Sequence, residues 1–210
     1  MRLTRSSFAA LLPSLATAAL LLTSPLLASA HVGADGATPH AHGIGFLQGF
    51  LHPFTGLDHL AAMVAVGLWS ALSARNARDL PWAPAGFAAM LLAGALLGLA
   101  GVQVPAVEPM IAASLLTIGL LVATRLRLPG PVAAAVVGAF AIFHGVAHGF
   151  ELAGDSGAGA AVAGMVLATA LLHTAGIAIG WTLRRRGVWL ARAVGGAVAL
   201  LGVALLAQIA

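Results

Sequence analysis

The sequence predicts an all-α membrane protein, a polytopic bundle of six transmembrane helices that follows a cleaved signal peptide. Of its 210 residues, 60% are hydrophobic and only 8% are charged, whereas a soluble domain is closer to half apolar and a quarter charged. The mean hydropathy of +1.02 agrees with burial against lipid. The apolar residues form separate runs that are long enough to cross a bilayer, and the arginines lie between these runs. These three observations together exclude an ordinary soluble protein.

Residues 1–30 have the three parts of a secretory signal peptide: a positive start, an apolar run, and small residues at its end. Because Ala28 and Ala30 occupy the −3 and −1 positions, we predict cleavage after Ala30. The mature chain then begins at His31, and residues 31–45 form a histidine-containing periplasmic tail. An uncleaved first membrane helix is the alternative, but the two prolines in the apolar run favour removal.

The remainder, residues 46–210, is interpreted as one transmembrane domain. About 20 helical residues, each rising 1.5 Å, span the roughly 30 Å hydrocarbon core of a bilayer. Prolines and glycines mark most boundaries between the apolar runs. The six predicted crossings are residues 46–74, 84–103, 107–124, 129–150, 158–182 and 187–208.

The arginines predict the orientation of this bundle. Every arginine of the mature chain lies in or next to the loops after the first, third and fifth crossings, namely Arg75, Arg78, Arg125, Arg127, Arg184, Arg185, Arg186 and Arg192. By the positive-inside rule these loops face the cytoplasm, so both mature termini are predicted to be periplasmic at a bacterial inner membrane. The sequence pI of 11.6 therefore reflects topology, and we expect no binding of nucleic acid.

Small and aromatic residues within the crossings suggest how the helices pack. Four Gly-x3-Gly motifs, which begin at Gly45, Gly94, Gly145 and Gly176, are expected to let neighbouring backbones approach inside the chain. The four tryptophans, Trp69, Trp82, Trp181 and Trp189, are expected to anchor the interface near the arginine side.

Two clusters of ionisable residues lie within the predicted crossings. Their members are His52, Asp58 and His59 in the first crossing and His144, His148 and Glu151 in the fourth. Ionisable groups at membrane depth are unfavourable unless paired, hydrated or bound, so a functional site is the default hypothesis. On regular helices His52 and His59 share a face, and His144 and His148 have the i, i+4 spacing that can chelate one metal ion. The chain has no cysteine, which excludes thiolate ligands, so histidine, carboxylate, amide or backbone groups are expected to hold any metal.

The predicted topology places both clusters in the outer half of the membrane. Along a regular first helix His52 would lie about 9 Å, and His59 about 20 Å, below its start. His173 in the fifth crossing would lie deeper, so we expect the histidines to form a descending ladder. A single membrane histidine often serves only as an interhelical hydrogen-bonding group, which is the competing interpretation of His173.

The order of these motifs resembles the HupE/UreJ family of membrane proteins. The resemblance rests on the segments HPFTGLDHLAAMVAVGLW, VEPMIAASLLTIGLLVA, FHGVAHGFE and TALLHTAGIAIG and covers essentially the whole mature chain. It implies a permease, not an enzyme, that takes up nickel or cobalt ions for the maturation of hydrogenase or urease and holds no prosthetic group. It also implies that the six residues of the two clusters carry the metal. His31 resembles the first residue of the family's mature chains, where it could capture an ion at the surface.

The residues alone leave other functions open. Imidazole and carboxylate ligands suit Ni²⁺, Co²⁺, Zn²⁺ and Cu²⁺ alike. The main alternative is an intramembrane hydrolase in which histidine and aspartate hold a zinc ion that activates water. A periplasmic metal sensor or chaperone without transport is a third. The expected partners are a divalent metal ion and the lipid bilayer, and the sequence does not determine the oligomeric state.

Overall fold

A computed structural model describes residues 45–209, and this part of the chain is all-helical. The predicted signal peptide, His31 and nearly all of the predicted tail lie outside the described residues. Seven α-helices and one short 3₁₀ helix, Ala77–Asp79, make up the fold. The α-helices are α1 Phe46–Thr55, α2 Leu57–Ser73, α3 Trp82–Leu99, α4 Val107–Thr124, α5 Gly130–Glu151, α6 Ala158–Arg184 and α7 Val188–Ile209.

The prediction of one continuous helix over residues 46–74 is wrong. The segment divides into α1 and α2, which meet at an angle of 86°. Pro53 lies inside α1 and has no N–H to donate to the preceding turn, so the helix ends soon after it. Gly56 then adopts an extended backbone with φ −97° and ψ 124°. Five described helices, α3 to α7, are each long and apolar enough to cross a membrane, and the bent pair would make a sixth span.

The other predicted segments agree with the helices to within a few residues. The largest difference is at the end of α3, which stops at Leu99 although the apolar run continues to residue 103. Gly101 has φ +81° there. Its N–H donates to the Gly98 carbonyl at 2.8 Å, and the Val102 N–H donates to the Leu97 carbonyl at 3.0 Å. This is the Schellman arrangement, in which a left-handed glycine ends a helix regardless of how apolar the following residues are.

Glycines allow the helix pairs to pack closely. The most extensive pairings are α3 with α5, α4 with α7, and α6 with both α1 and α2. Gly94 of α3 lies against the backbone of Ile142, and Gly145 of α5 lies against the backbone of Leu91. Gly176 of α6 similarly contacts the α2 backbone. All four small-residue motifs therefore contribute to packing within the chain, as expected, because a side chain at Gly49, Gly94, Gly145 or Gly176 would meet main-chain atoms.

The loops that carry the arginines lie at one end of the bundle, which we call the arginine face. The guanidinium of Arg184, at the end of α6, donates to the carbonyl of Ala74 after α2 at 2.8 Å. The indole N–H of Trp69 donates to the carbonyl of Leu126 after α4 at 2.9 Å. These two bonds bring the ends of α2, α4 and α6 together, as the positive-inside argument requires.

Three of the four tryptophans are exposed, as predicted for interfacial anchors, and the fourth is buried. Trp82, Trp181 and Trp189 are 43%, 53% and 70% exposed, as expected of interfacial anchors. Trp69 is fully buried. It lies on the inward face of α2, where the Leu126 carbonyl satisfies its only polar group, so its ring fills the apolar core above the arginine face.

Two adjacent glycines in α7 test the packing argument. A Cβ on Gly195 would lie 2.6 Å from the Gly119 carbonyl oxygen and 2.8 Å from the Cα of Ala123, whereas a Cβ on Gly196 would meet nothing within 4 Å. We expect Gly195→Ala to destabilise the protein by about 1–3 kcal/mol through overpacking of α7 on α4. Gly196→Ala is the matched control and should be neutral or slightly stabilising. Thermal unfolding midpoints in detergent would check this, and equal midpoints would contradict the packing.

Candidate metal centre

Three helix segments bring histidines to one place in the bundle. The bend at Gly56 folds α1 back toward the start of α2, so the rings of His52 and His59 lie 5.4 Å apart, centre to centre. The last part of α5 supplies His148, whose ring is 4.5 Å from that of His52 and 4.9 Å from that of His59. On a straight helix these two residues would lie about 10 Å apart along the axis. The bend instead brings their rings into contact.

The predicted descending ladder is wrong in its first steps. His52, expected at the level of His144, and His59, expected at a deeper step, instead form one cluster with His148. Each of these three residues offers a ring nitrogen, and the three nitrogens lie within 4.8 Å of one another. We call this group the outer cluster. His59 and His148 are buried, and His52 is partly exposed.

Two imidazoles of the outer cluster lie next to a carboxylate at their Nδ1 atoms. The Nδ1 atom of His59 lies 2.9 Å from Oδ1 of Asp58, and both side chains are almost fully buried. The Nδ1 atom of His148 lies 3.4 Å from Oε2 of Glu151, whose side chain is 56% exposed. A carboxylate at Nδ1 favours the tautomer that carries its proton there, which leaves the lone pair on Nε2.

The two Nε2 atoms face each other. The Nε2 atoms of His59 and His148 are 2.8 Å apart. When both rings donate their Nδ1 protons to carboxylates, two lone pairs point at each other, and they repel unless a proton or a metal cation lies between them. Ring nitrogens that bind one ion at about 2.0–2.1 Å lie somewhat farther apart than this, so a small separation of α2 and α5 makes room for an ion.

Gly56 leaves the space in which this pair of side chains lies. A Cβ at this position would lie 2.8 Å from Oδ1 of Asp58 and 3.0 Å from Nδ1 of His59. The pair of side chains thus occupies the space that a larger residue would need. Thr55 completes the turn, because its hydroxyl donates to the carbonyl of His52 at 2.7 Å.

His144 lies beside the outer cluster without belonging to it. Its ring is fully buried and lies 5.5 Å from that of His59. Its Nε2 atom is 3.1 Å from the hydroxyl oxygen of Ser114 in α4. Because that hydroxyl donates its own proton to the Ile111 carbonyl at 2.6 Å, the Ser114 oxygen accepts from Nε2–H of His144. Ser114 was not predicted, although a serine within the apolar run of α4 is a signal for such a contact.

One aromatic ring lies next to both His144 and His173. The ring of Phe87, in α3, lies 5.9 Å from that of His144 and 5.2 Å from that of His173. His173 is 2% exposed and lies in the middle of α6. No pattern in the sequence indicated Phe87, because nothing distinguishes it from other apolar residues of a membrane helix.

Of the eight predicted metal residues, the structure brings three imidazoles together and places two carboxylates behind two of them. His144 lies next to this group, and His173 lies beyond Phe87. His31 lies outside the described residues. The arrangement fits a divalent cation that prefers nitrogen ligands, with carboxylates that orient the rings and offset the positive charge.

Comparisons with known proteins give the family. Residues 18–205 match the family described as HupE / UreJ protein. The chain is also 45% identical over 187 residues to the protein named Protein HupE from Rhizobium leguminosarum bv. viciae, an alignment that covers 88% of this chain and 93% of that one. No solved structure matches the chain. The extent of both matches shows that this chain is a member of the HupE/UreJ family.

Proposed function

We propose that this protein is a secondary permease that takes up nickel or cobalt ions across the bacterial inner membrane for the maturation of hydrogenase or urease. The observation that carries the proposal is the outer cluster, in which His52, His59 and His148 direct ring nitrogens to one point. The link to hydrogenase or urease rests on membership of the family. The transported ion is the substrate, and the proposal includes no enzyme activity and no prosthetic group.

The six motif residues take different parts in this proposal. His52, His59 and His148 bind the ion directly. Asp58 and Glu151 fix the ring tautomers of His59 and His148 and supply negative charge, so that a cation in the cluster is not an isolated charge. His144, held by Ser114, receives the ion next. His31, at the predicted mature amino terminus, captures ions at the surface.

The cluster opens away from the arginine face. Along α5, His148 is 18 residues beyond Gly130, or about 27 Å of helix from the end near the arginines. The exposed carboxylate of Glu151 lies one turn farther, at the entrance. With the arginine face in the cytoplasm, the ion enters from the periplasm, and both termini are periplasmic.

The membrane potential suffices as the source of energy. The sequence has no GxxxxGK[ST] motif for binding a nucleotide phosphate. Inward movement of a divalent cation through about 100 mV is favourable by about 4.6 kcal/mol, which corresponds to more than a thousandfold accumulation at equilibrium. Uptake by this chain therefore requires a route and a selective site but no hydrolysis of ATP.

Removal of one outer-cluster ligand tests the proposed function. We expect His148→Ala to lower the initial rate of radioactive nickel uptake into proteoliposomes at least tenfold under an imposed inside-negative potential, because the ion loses a buried ligand. Thr174→Ala is the control, since its exposed hydroxyl bonds only to the Ala170 carbonyl within α6. A wild-type protein that binds nickel but supports no flux would exclude the permease, and metal-dependent hydrolysis without flux would favour the zinc hydrolase.

The carboxylate behind His59 can be tested separately from the ligands. Asp58→Asn keeps the size of the side chain but removes its charge, so Nδ1–H of His59 has a weaker acceptor. We expect the dissociation constant for Ni²⁺, measured by equilibrium binding in detergent, to rise about 10- to 100-fold. Asp155→Asn is the matched control, because Asp155 accepts from the Gly157 N–H in a loop before α6. Equal affinity in Asp58→Asn and wild type would show that Asp58 does not support the site.

A further inference from the structure

We propose that His173 is the centre of a second, inner ion-binding station, which receives the ion after the outer cluster has released it. This inference rests on the proposed function, because it names the next site on the same route. It depends on four observations. These are a buried nitrogen without a hydrogen-bond partner, two nearby atoms that can bind a metal ion, the position of Phe87, and the depth of the site.

The first observation is the Nε2 atom of His173. Among the residues that the structure describes, this atom is fully buried and has no hydrogen-bond partner. Leaving a buried polar group unsatisfied costs about 1–3 kcal/mol, so such groups in native proteins usually have a functional reason. The ring of Phe87, a member of the apolar core, lies 5.2 Å from that of His173. A ring nitrogen held in such a place can accept a transient partner, and a passing cation is one that imidazole binds well.

The second observation is the presence of oxygen and sulfur atoms nearby. Thr169 precedes His173 by one helical turn and so lies on the same face of α6. Its hydroxyl donates to Sδ of Met63 in α2 at 3.4 Å, and all three side chains are almost fully buried. We call Met63, Thr169 and His173 the inner cluster. Imidazole, hydroxyl and thioether are all neutral, so this set holds a divalent cation more weakly than an outer cluster backed by two carboxylates.

The third observation is that one aromatic ring, that of Phe87, lies next to both His144 and His173. Its ring contacts the ring of His144 on one side and lies edge to face against the ring of His173 on the other. Phe87 is 2% exposed, so its ring is held in the core. In this proposal an ion that moves from His144 to His173 passes along that ring.

The fourth observation is the depth of His173 in the bundle. Its backbone lies against Gly67, which is eight residues beyond His59 on α2, or about 12 Å of helix. Ala74, which binds Arg184 at the arginine face, is about 22 Å beyond His59. His173 therefore lies near the middle of the distance that the ion must cross. One weak station there divides a long apolar passage into two shorter steps, each with a smaller desolvation cost.

The substitution His173→Gln tests this station. Glutamine keeps a neutral hydrogen-bonding side chain but is a poorer metal ligand than imidazole, so a merely structural histidine would tolerate it better. We expect nickel uptake into proteoliposomes to fall at least tenfold while equilibrium binding of Ni²⁺, which reports the outer cluster, stays within twofold of wild type. Uptake within threefold of wild type would overturn the inner station. That result would leave the proposed function intact, whereas failure of the wild-type protein to take up nickel would overturn both.

A second measurement does not depend on transport. The chain has no cysteine, so His173→Cys introduces the only thiol in the protein. If position 173 binds an ion, Cd²⁺ should slow alkylation of this thiol by N-ethylmaleimide at least fivefold in the folded, detergent-solubilised protein. Thr174→Cys is the control, because its exposed side chain lies on another face of α6 and should react at the same rate with and without Cd²⁺. Equal slowing in both variants, or slowing in neither, would contradict the inner station.

Discussion

The space at Gly56, which the side chains of Asp58 and His59 fill, is the constraint on which the arrangement of the bent segment depends. Because Gly56 has no Cβ, the side chains of Asp58 and His59 lie against the turn between α1 and α2. The ring of His52, just before this turn, lies 5.4 Å from that of His59. Pro53 ends α1 nearby, so the chain changes direction by 86° where the two motif halves must meet. The proline and glycine of this motif therefore bend the segment and bring its two histidines together.

Electrostatic pairing explains why such polar residues are tolerated in an apolar bundle. Asp58 is buried, but it lies next to a ring that can donate to it, and the second carboxylate, Glu151, stays partly exposed. A cation between the Nε2 atoms of His59 and His148 would balance the lone pairs that face each other there. Charge, tautomer and ligand position are thus coupled, and the loss of any one partner leaves a buried group in an unfavourable state.

Much of this fold could be predicted from the sequence, because long apolar runs with prolines at their ends have few alternatives in a membrane. The bounds of α4 were predicted to the residue, and α5, α6 and α7 to within two residues at either end. The division of residues 46–74 into two helices was not predicted, since a proline within an apolar run is compatible with either a kink or a break. The end of α3 was missed because the conformation of Gly101 is decided locally and leaves the hydropathy unchanged.

The members of the candidate site could be predicted more easily than their arrangement. Ionisable residues are so rare in this chain that the two clusters were evident from composition and spacing. Contacts such as that of His52 with His148 join residues far apart in the sequence and depend on how α1 packs after the bend. The contacts of Ser114 and Phe87 with His144 were not predicted either, because each joins α5 to another helix.

The pairing of α6 with both arms of the bent segment has a mechanical consequence. The outer part of α6 packs on α1, where Gly49 meets Ala161, and its middle packs on α2, where Gly67 meets His173. Both contacts are backbone against backbone, so neither arm can turn without changing its register along α6. The angle between α1 and α2, which brings the rings of His52 and His59 together, is therefore held by contacts with a single helix. That helix ends at Arg184, whose guanidinium donates to the Ala74 carbonyl, so α6 holds the bent segment at both arms and at its end.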